Sequence, residues 1–486
     1  MAAKFSFSQL VEAVDGIKVF GDPDREIHGV QTNSREVQPD CLFVARRGLV
    51  TDGHKYLEDA VDRGASALIV DSLWLEQAKE NDSLQSFSDS LMVVVESSEE
   101  ALLSLAAWWR GQLSCPVIAI TGSNGKTTTK EILSGLLSDL TGKGVASQGS
   151  YNNEVGVPLT ILAADKDVKW LVLEMGMNHP GELTRLSKVG VPDAAVILNI
   201  APAHIGNFES VDQIADAKCE IVSGLKKDGI LIVPSFDEVL RPALERLKKK
   251  QKYITLQFGT VGSGELAVSL SDISSSGFQG IEFNLSRKGE SQKMILPLLG
   301  EHNAFNVAAA VTAICELFSI DLKEISESLP KVRGAKMRLE IEEFEKAILV
   351  NDAYNANPRS VEAAFKTVES FQSPLIIILG DMGELGEKSE EFHQEVGRKA
   401  AQLSPMLLVV SGSFSKAILE GAEQNPGQGR RVSIAVGEDS PEAISQEVLS
   451  EIAIARDRPV ILVKGSRSAG LERVVDHLVV GLTNNS

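Results

Sequence analysis

The sequence has little of what marks a secreted, membrane-spanning or metal-stapled protein. Its 486 residues include only four cysteines, and no two of them have the C-x-x-C spacing of a zinc site or a redox pair. We therefore expect reduced thiols in a cytoplasmic protein. No uninterrupted apolar run approaches about 20 residues, so no membrane-spanning helix is expected. The first residues lack a long apolar core and carry acids early, so neither a signal peptide nor a transit peptide is predicted.

Basic residues are also in short supply. The chain has 48 Lys and Arg against 67 Asp and Glu, a formal net charge of −19. A nucleic-acid-binding protein would show a basic excess, so that class is excluded, and an anionic substrate would need local Lys and Arg. The hydrophobic share of 43% is that of an ordinary globular protein. At this length a single core is too large, and two or three domains are expected.

Short apolar runs that end in Gly, Asp or Asn alternate with helical stretches, the pattern of α/β domains with parallel sheets. Residues 264–299 instead alternate as an antiparallel ribbon. We place boundaries near Ser97 and Gly334, which predicts three domains, 1–97, 98–334 and 335–486. The apolar runs, in order, are 42–45, 67–70, 92–95, 116–120, 170–174, 194–199, 347–352, 374–381, 406–412 and 459–465.

The stretch TGSNGKTTTKE, residues 121–131, follows the run PVIAI and precedes a helix with one apolar face. A strand, a glycine-bearing loop and a helix N-terminus aim backbone N–H groups at an anion. Lys126 would reach terminal phosphates and Thr127 would hold magnesium. The usual first glycine is replaced by Ile120, so the loop is a shortened variant. The alternative, a glycine turn of purely structural use, is less well supported because strand and helix stand in the right places.

Two polar side chains follow neighbouring predicted strands. Glu174 ends the run WLVLE, and His204 lies five residues beyond AAVILN. In open α/β sheets, ligands sit beyond the carboxyl ends of the strands, so both side chains could ligate a metal beside the loop. Taken singly, Glu174 could be a strand-end charge and His204 a capped loop histidine.

Lys218 lies in the middle of the apolar face of a helix predicted over residues 211–225. Such lysines more often extend to the edge of the apolar face. The functional interpretation is a desolvated amine with a lowered pKa. A neutral amine can add carbon dioxide to form a carbamate, a metal-binding anion.

Several strings together resemble the Mur ligases of peptidoglycan synthesis. They are TGSNGKTTTKE, YNNEVGVPLTIL, EMGMNHPGEL, NIAPAHIGNF, ADAKCEI, GEHNAFNVAAA and NDAYNANPRS. The resemblance covers all three predicted domains in the family's order. Within the family, the strings LGDMGELG, YNAN, TNSREVQPDCLFVARRG and TDGHKY are most similar to the members that join D-alanyl-D-alanine to UDP-N-acetylmuramoyl-tripeptide.

The resemblance implies an ADP-forming, ATP-dependent ligase. ATP phosphorylates a substrate carboxylate, and an amine then attacks the acyl phosphate. The implied architecture is a UDP-substrate domain, a central P-loop-type parallel sheet covered by helices, and a Rossmann-like C-terminal ligase domain. The implied setting is cytoplasmic peptidoglycan precursor synthesis by a monomer with no nucleic-acid partner.

The resemblance also assigns residues. The nucleotide would contact Gly122, Ser123, Asn124, Gly125, Lys126, Thr127, Thr128, Asn303, Asn306, Arg338 and Asp352. Catalysis would use Lys126, Glu174, His204 and Lys218, with one magnesium ion on Thr127, Glu174 and His204 and a second on carbamylated Lys218. The muramoyl substrate would contact Ser34, Arg35, Asp52, Gly53, His54, Asn152 and Asn153.

Some of these positions have plainer readings. Asn303 could be an ordinary helix N-cap, and Asp52 with Gly53 a simple turn. Candidates for the D-alanyl-D-alanine pocket are Asp381, Glu384, Lys464, Ser466 and Arg467, which could equally form an acidic turn and a solvated basic rim. Residues 357–359, NPR, are similar to a signature of the diaminopimelate-adding ligase, but they lie too early in the chain, and we discount them.

Other functions fit less well. Folylpolyglutamate synthase shares the loop but begins close to it, whereas about 115 residues precede the loop here. Mur ligases that act earlier, on alanine or glutamate, would have a first domain like a dinucleotide-binding fold with a glycine-rich turn, and no such turn is visible in this sequence. A P-loop GTPase needs an Asn-Lys-x-Asp motif, and the chain has no Asn-Lys pair. A nucleotide-binding module without activity remains the non-enzyme alternative.

Overall fold

The computed structural model describes residues 2–20, 22, 24–48, 51–81, 83–87, 90–202, 207–248, 253–424, 429–434 and 440–484. In these residues helices and mostly parallel sheets alternate, as the run pattern predicted. The predicted mixed α/β fold is thereby confirmed.

The first region forms a sheet in the order β2-β7-β6-β5-β4, parallel except at its β2 edge, and a small antiparallel pair of β1 with β3. Ser97, where we placed the first boundary, is the N-cap of α4. The elements are β1 Lys4–Ser6, α1 Phe7–Ala13, β2 Ile17–Phe20, β3 Glu26–His28, β4 Val30–Gln31, β5 Leu42–Val44, α2 Leu57–Asp62, β6 Ala67–Asp71, α3 Ser72–Glu80, β7 Leu91–Val95 and α4 Ser98–Arg110.

The central region contains the largest sheet, in the order β16-β15-β14-β13-β12-β11-β8-β10-β9. Its strands from β9 to β14 pair in parallel, and β14, β15 and β16 pair antiparallel, which confirms the predicted ribbon. The elements are β8 Val117–Thr121, α5 Lys126–Thr141, β9 Val145–Ala146, α6 Gly156–Leu162, β10 Leu171–Glu174, α7 Glu182–Gly190, β11 Ala194–Ile197, α8 Val211–Cys219, β12 Ile230–Pro234, α9 Leu240–Lys248, β13 Ile254–Thr260, β14 Val268–Ser275, β15 Ile281–Arg287, β16 Glu290–Leu296, α10 His302–Phe318 and α11 Leu322–Ser328.

The third region forms a sheet in the order β17-β18-β22-β19-β20-β21, parallel except at its β17 edge. The elements are β17 Glu340–Glu343, β18 Ile348–Asp352, α12 Pro358–Glu369, β19 Leu375–Leu379, α13 Ser389–Gln402, β20 Leu407–Ser411, α14 Ser415–Glu423, β21 Arg430–Ile434, α15 Ser440–Ile454, β22 Val460–Lys464 and α16 Glu472–Asn484.

Alternate residues of the buried strands face opposite layers, because side chains on a strand alternate sides. In β8, Val117 and Ala119 pack with the α6 and α7 side, whereas Ile118 and Ile120 pack with α5 and α10. In the third region α12, α13 and α14 cover one face, and α15 and α16 cover the other. Both large sheets are therefore covered by helices on two faces, which leaves the strand ends to form a site.

One predicted helix is wrong in extent. The expected helix over 211–225 is α-helical only through Cys219, and Glu220–Gly224 continues as a tighter 3-10 turn. Lys218 lies in the last turn of α8, one residue before this change.

Candidate active site

The loop between β8 and α5 has a backbone built for close approach. Gly125 has φ of 86°, and a Cβ there would lie 2.6 Å from Asn306 Oδ1, so only glycine fits. No side chain of the described residues caps the N-terminus of α5. The first N–H groups of the helix therefore remain available, together with its positive dipole end, for an anion.

Lys126 and Thr127 begin α5 at the edge of a cavity of about 690 Å³. Lys126 Nζ donates to Gly122 O at 2.7 Å. Burial lowers the pKa of Lys126, which Glu174 opposes and Arg338 reinforces. Thr127 Oγ1 accepts a hydrogen bond from Arg338 at 3.0 Å. The loop thus already holds cationic groups where phosphate charge would lie.

Glu174 ends β10, the parallel neighbour of β8, and is 1% exposed. Its Oε1 accepts a hydrogen bond from Asn152 Nδ2 at 2.9 Å. Its Oε2 is buried and has no hydrogen-bond partner among the described residues. Burying a carboxylate oxygen in this way is costly unless a cation or donor binds it. Glu174 lines the cavity, as do Thr127 and Asn152.

Of the other predicted metal ligands, the structure describes Thr127, which lines the same cavity, and Lys218. His204 lies outside the described residues. The described residues contain no group of three or more His, Cys, Asp or Glu side chains arranged to hold a metal ion. Beside the phosphate loop, the free oxygen of Glu174 and the Thr127 hydroxyl are therefore groups that could bind a cation.

Lys218 is buried rather than extended to an edge, with 2% of the residue exposed. Its pKa is lowered well below the ordinary value, because burial removes the water around the ammonium and because Lys126 adds a like charge. Lys218 is outside the described lining of the cavity. The predicted desolvation of this amine is confirmed, and the simpler interpretation of an extended side chain is wrong.

Asn303 and Asn306 lie in the first turns of α10 and line the cavity. Asn303 Nδ2 donates to Leu299 O at 2.7 Å, and Asn306 Nδ2 donates to Asn303 Oδ1 at 2.7 Å. The N-cap of α10 is Glu301, so the reading of Asn303 as an N-cap is wrong. The two amides form a hydrogen-bonded pair, and the amide of Asn306 lies against the loop at Gly125.

Sequence reasoning missed an aromatic wall beside this amide pair. Phe236 follows β12, is 41% exposed and lines the cavity. Its ring centroid lies 5.0 Å from that of Phe305 and 6.3 Å from that of Phe258. The available signal was the position of Phe236 just beyond a strand end, but β12 and β13 were not predicted.

Arg338 reaches the loop from the third region. Its guanidinium lies 4.4 Å from the ring centroid of Tyr354, a cation–π contact that orients it. Met337 has φ of 60° and Leu339 φ of 49°, left-handed values that cost free energy for residues with a side chain. Strained backbone on both sides of one arginine, which contacts Thr127, is typical of a functional position.

Lys464 is 1% exposed and supports the same segment rather than a rim. β18 and β22 pair in parallel and place Lys464 opposite Asp352, and its Nζ lies 2.7 Å from Asp352 Oδ2. It also donates to Asn355 O at 2.9 Å. Lys464 lines the cavity while holding the turn that carries Tyr354.

The two acidic residues of the turn after β19, Asp381 and Glu384, have different surroundings. Both carboxylate oxygens of Asp381 accept backbone hydrogen bonds, from Phe414 N at 3.0 Å and Ser413 N at 2.7 Å. Asp381 is outside the described lining of the cavity, whereas Glu384, Ser466 and Arg467 line it. With Lys464, the structure therefore brings four of the five candidate pocket residues to the cavity, and Asp381 fixes a loop.

Hydrogen bonds join the third region to the central region at the cavity-lining residues Arg338, Asn357 and Arg359. Besides Arg338 and Thr127, Asn357 Nδ2 donates to Asn124 Oδ1 at 2.8 Å, and Arg359 donates to Ile200 O at 3.0 Å. Asn357 also caps α12, so this helix start is tied to the phosphate loop. Among the other predicted loop residues, Ser123 and Thr128 line the cavity, and Gly122 is outside its described lining.

The predicted uridine-site residues form a separate cluster in the first region. His54 Nδ1 lies 2.6 Å from Asp52 Oδ1, and Asp71 N donates to His54 Nε2 at 3.2 Å. Asp71 also takes hydrogen bonds from Arg47 at 2.6 and 3.2 Å. His54 is buried and both its nitrogens are engaged, so its side chain supports the turn. Arg47 and Asp71 were not predicted.

The surface beside this turn is more open. Arg35 is exposed next to the buried Ser34 in a short 3-10 turn capped by Asn33. Gly53 is required where it stands, since a Cβ would lie 2.7 Å from Arg46 N. In the central region Asn153 Oδ1 accepts a hydrogen bond from Gly156 N, the first residue of α6, at 3.0 Å, while Asn152 lines the cavity.

No helix among the described residues is long and apolar enough to cross a membrane.

Family models match the chain in three places. The Mur ligase family catalytic domain matches residues 26–109, the Mur ligase middle domain residues 120–314, and the Mur ligase glutamate ligase domain residues 337–467. The matches leave residues 110–119 and 315–336 unassigned and do not test the predicted domain boundaries.

Full-length relatives agree with these models. The chain is 33% identical over 483 residues to the UDP-N-acetylmuramoyl-tripeptide--D-alanyl-D-alanine ligase of Bacillus subtilis (strain 168), covering 98% of both chains. MurF from Acinetobacter baumannii superimposes with a TM-score of 0.85 and 31% identity over 99% of both chains. MurF ligase from Thermotoga maritima, solved with ADP, gives a TM-score of 0.76 at 28% identity, over 94% of this chain and 98% of that one.

Proposed function

This chain belongs to the Mur ligase family, and on that premise we propose that it joins D-alanyl-D-alanine to UDP-N-acetylmuramoyl-tripeptide with ATP. The observation that carries the proposal is the cavity in which the phosphate loop faces Arg338, Tyr354 and Lys464 of the third region. Its volume of about 690 Å³ lies within the range of ligand sites, and its basic groups suit an anionic substrate despite the acidic chain.

The reaction requires two transfers. The terminal carboxylate of the tripeptide attacks the γ-phosphorus of ATP, which forms an acyl phosphate and releases ADP. The free amine of D-alanyl-D-alanine then attacks the acyl carbon, phosphate leaves the tetrahedral intermediate, and the nitrogen loses a proton to solvent. Such chemistry depends mainly on positioning and on neutralising phosphate charge.

This chain's own residues would supply that neutralisation. Lys126 and the N–H groups at the start of α5 bind the terminal phosphates. Arg338, held by Tyr354, binds the same phosphates once it leaves Thr127. Lys464 keeps Asp352 and Asn355 in place, so that the third region covers the cavity and excludes water that would hydrolyse the acyl phosphate.

A magnesium ion fits the groups present. The unpartnered Oε2 of Glu174 and the hydroxyl of Thr127 would hold it, joined by His204 in this proposal. When bound there by these residues, magnesium would supply positive charge that offsets the charge developing on the phosphate oxygens.

The nucleobase would occupy the other end of the cavity. Asn303 and Asn306 offer amide groups to the adenine edge, and Phe236 offers a ring face beside them. Ser34, Arg35 and the backbone of the Asp52 to His54 turn would contact the uridine diphosphate, and Asn152 and Asn153 the muramoyl peptide. Glu384, Ser466 and Arg467 remain candidates for D-alanyl-D-alanine, while the engaged carboxylate of Asp381 positions their loop.

Lys218 would become a carbamate that binds a second magnesium ion. Its burial and lowered pKa support this, because a neutral amine adds carbon dioxide with loss of one proton. Lys218→Ala should nearly abolish turnover and leave ATP binding intact, and short carboxylic acids should partly restore the rate. Normal turnover in Lys218→Ala would remove the carbamate.

The setting would be the cytoplasm, with domains at 1–97, 98–334 and 335–486 and a monomeric chain. Phosphate release from ATP tests the function, with each substrate supplied singly and together and with lysine and diaminopimelate forms of the tripeptide compared. Release that needs both, with a pentapeptide product by mass, supports the proposal. ATP binding without release under any pairing would favour a module without this activity.

A further inference from the structure

Lys130 is a buried lysine of α5, one helical turn beyond the partly buried Lys126. Only 2% of it is exposed, and its Nζ has oxygen partners at Glu131 Oε1 (2.5 Å), Ser147 O (2.9 Å) and Gly149 O (3.1 Å). An ammonium group has three N–H donors, so each donor finds an acceptor. Lys130 lies outside the described lining of the cavity.

Burying an ammonium is expensive unless it is paired and hydrogen-bonded. Here one carboxylate and two backbone carbonyls offset that cost. The carbonyls belong to the segment 147–152, which leads from β9 toward the cavity. Lys130 therefore ties this segment to the same helix that begins with the phosphate-binding residues.

The segment 147–152 contacts both proposed magnesium ligands. Ser147 Oγ accepts a hydrogen bond from Glu174 N at 3.0 Å, and Asn152 Nδ2 donates to Glu174 Oε1 at 2.9 Å. Ser150 Oγ lies 3.4 Å from Thr127 Oγ1. Any shift of this segment would move the Glu174 carboxylate relative to the Thr127 hydroxyl.

We propose that Lys130 is a positioning residue that fixes segment 147–152 and thereby holds Glu174 and Thr127 at the separation magnesium needs. The inference rests on the proposed function, since it concerns the magnesium and nucleotide of that site. A lysine of purely structural use would lower stability without selecting between nucleotide with and without the ion.

The test measures how strongly magnesium aids nucleotide binding. The β,γ-methylene analogue of ATP is titrated by calorimetry into the full-length chain, once with magnesium and once with EDTA, and the ratio of the two dissociation constants is compared. The variants are Lys130→Met, which removes the charge at similar length, and Lys130→Arg. The matched control is Lys331→Met. Lys331 is exposed, and it pairs at 2.7 Å with Asp139 of α5, the helix that also contains Lys130.

The ratio used here is the dissociation constant in EDTA divided by the dissociation constant in magnesium. Lys130→Met should lower this ratio about tenfold, because the magnesium ligands are displaced. The dissociation constant in EDTA should change little. Lys331→Met should stay within about twofold of the parent, as expected for an exposed ion pair. A ratio for Lys130→Met within twofold of the parent would overturn the proposal. If Lys130→Met shows no cooperative thermal transition, Lys130→Arg decides: a threefold or larger fall supports the proposal, and the parent ratio overturns it.

These titrations contain neither tripeptide nor D-alanyl-D-alanine. Failure of the substrate assignment would therefore leave the magnesium ratio unchanged. Failure of the Lys130 proposal would leave phosphate release with the substrate pair intact.

Discussion

The turn around His54 and the loop around Lys126 both bury charged side chains, but they complete their hydrogen bonds differently. At His54 both ring nitrogens have partners, and Asp71 takes bonds from Arg47 and from Trp74 N. Near Lys126, Glu174 Oε2 and Asn124 Nδ2 are buried without partners among the described residues.

The difference separates support from function. A buried polar group left without a partner costs about 1–3 kcal/mol, and a fully bonded one does not. The first cluster therefore holds a turn in place. The second keeps the unfavourable free energy of its unpaired polar groups, and a ligand that pairs with them would remove it. The comparison predicts that substitutions in the two clusters will act on different quantities, stability in one and turnover in the other.

Glu174→Gln should have the largest effect and sharpen the comparison most. The amide can still accept a hydrogen bond from Asn152 but cannot offer an anionic oxygen, so turnover should fall about a thousandfold. The melting temperature should hold or rise, because the unpaired charge is gone. Phosphate release and thermal unfolding measure the two effects.

Glu316→Gln is the matched control, since Glu316 pairs with Arg287 at 2.6 Å outside the described lining of the cavity. It should keep the parent turnover. If the turnover of Glu174→Gln stayed within tenfold of the parent, the claim that the unpaired oxygen of Glu174 serves turnover would be wrong.

His54→Ala should reverse the pattern. Removal of the ring leaves Asp71 N and the Asp52 carboxylate without their partner, so the free energy of unfolding should fall by about 1–3 kcal/mol. Turnover at saturating substrate should change little. Denaturant unfolding and steady-state kinetics check the two expectations.

The control for His54 is His28→Ala, because His28 is partly exposed and only 3.4 Å from Glu26 in an exposed pair. Its stability should match the parent. If His54→Ala abolished turnover at unchanged stability, His54 would belong to the reacting site and the comparison would fail at its structural end.

Phe236→Ala extends the comparison to the nucleobase end. A base stacked on an aromatic ring is worth about 1–3 kcal/mol, so the KM for ATP should rise about tenfold with the turnover number retained. Phe278→Ala is the control, since its ring packs 4.3 Å from Phe371 and lies outside the described lining of the cavity. An unchanged KM in Phe236→Ala would place the base elsewhere.

The acid dependence of stability should show the smallest effect. Burial alone would raise the pKa of Asp71, but the Arg47 bond, Trp74 N and His54 outweigh it and lower this pKa. A lowered carboxyl pKa stabilises the fold above the unfolded value of about 3.9, and this contribution is lost as the pH falls through the folded value. Asp71→Asn should therefore be less stable than the parent near neutral pH.

The difference in the free energy of unfolding between the parent and Asp71→Asn should narrow as the pH falls below about 4, because the parent carboxylate then becomes protonated and uncharged, as the amide already is. Denaturant midpoints across this range give the measurement. A gap that widens toward acid pH would contradict the assigned charge network.

The strands and the loop were predictable because their signals are local. Apolar runs ending in polar residues predicted β8, β10 and β11, and parallel pairing then placed Glu174 beside the loop. Helical periodicity placed Lys218 on the apolar face of its helix but left open whether the side chain is buried or extends to the edge, and the structure shows that it is buried. Its helix was predicted too long because periodicity does not distinguish an α-helix from the 3-10 turn that follows Cys219.

What was missed depends on contacts between distant parts of the chain. Phe236 belongs to the cavity because β12 joins the central sheet beyond β11, and Lys130 matters because of the carbonyls of a later segment. Asp71 shares the His54 cluster 17 residues further along the chain. Lys464 had the signal of a basic rim, and only its pairing with Asp352 across two parallel strands shows that it is buried.

The central claim is that ATP phosphorylates a carboxylate of the muramoyl tripeptide. We would label the terminal carboxylate of the tripeptide with ¹⁸O, supply ATP, magnesium and D-alanyl-D-alanine, and weigh the released phosphate by mass spectrometry. An acyl phosphate predicts one ¹⁸O atom in each phosphate released together with pentapeptide. Pentapeptide formed with unlabelled phosphate would contradict the account.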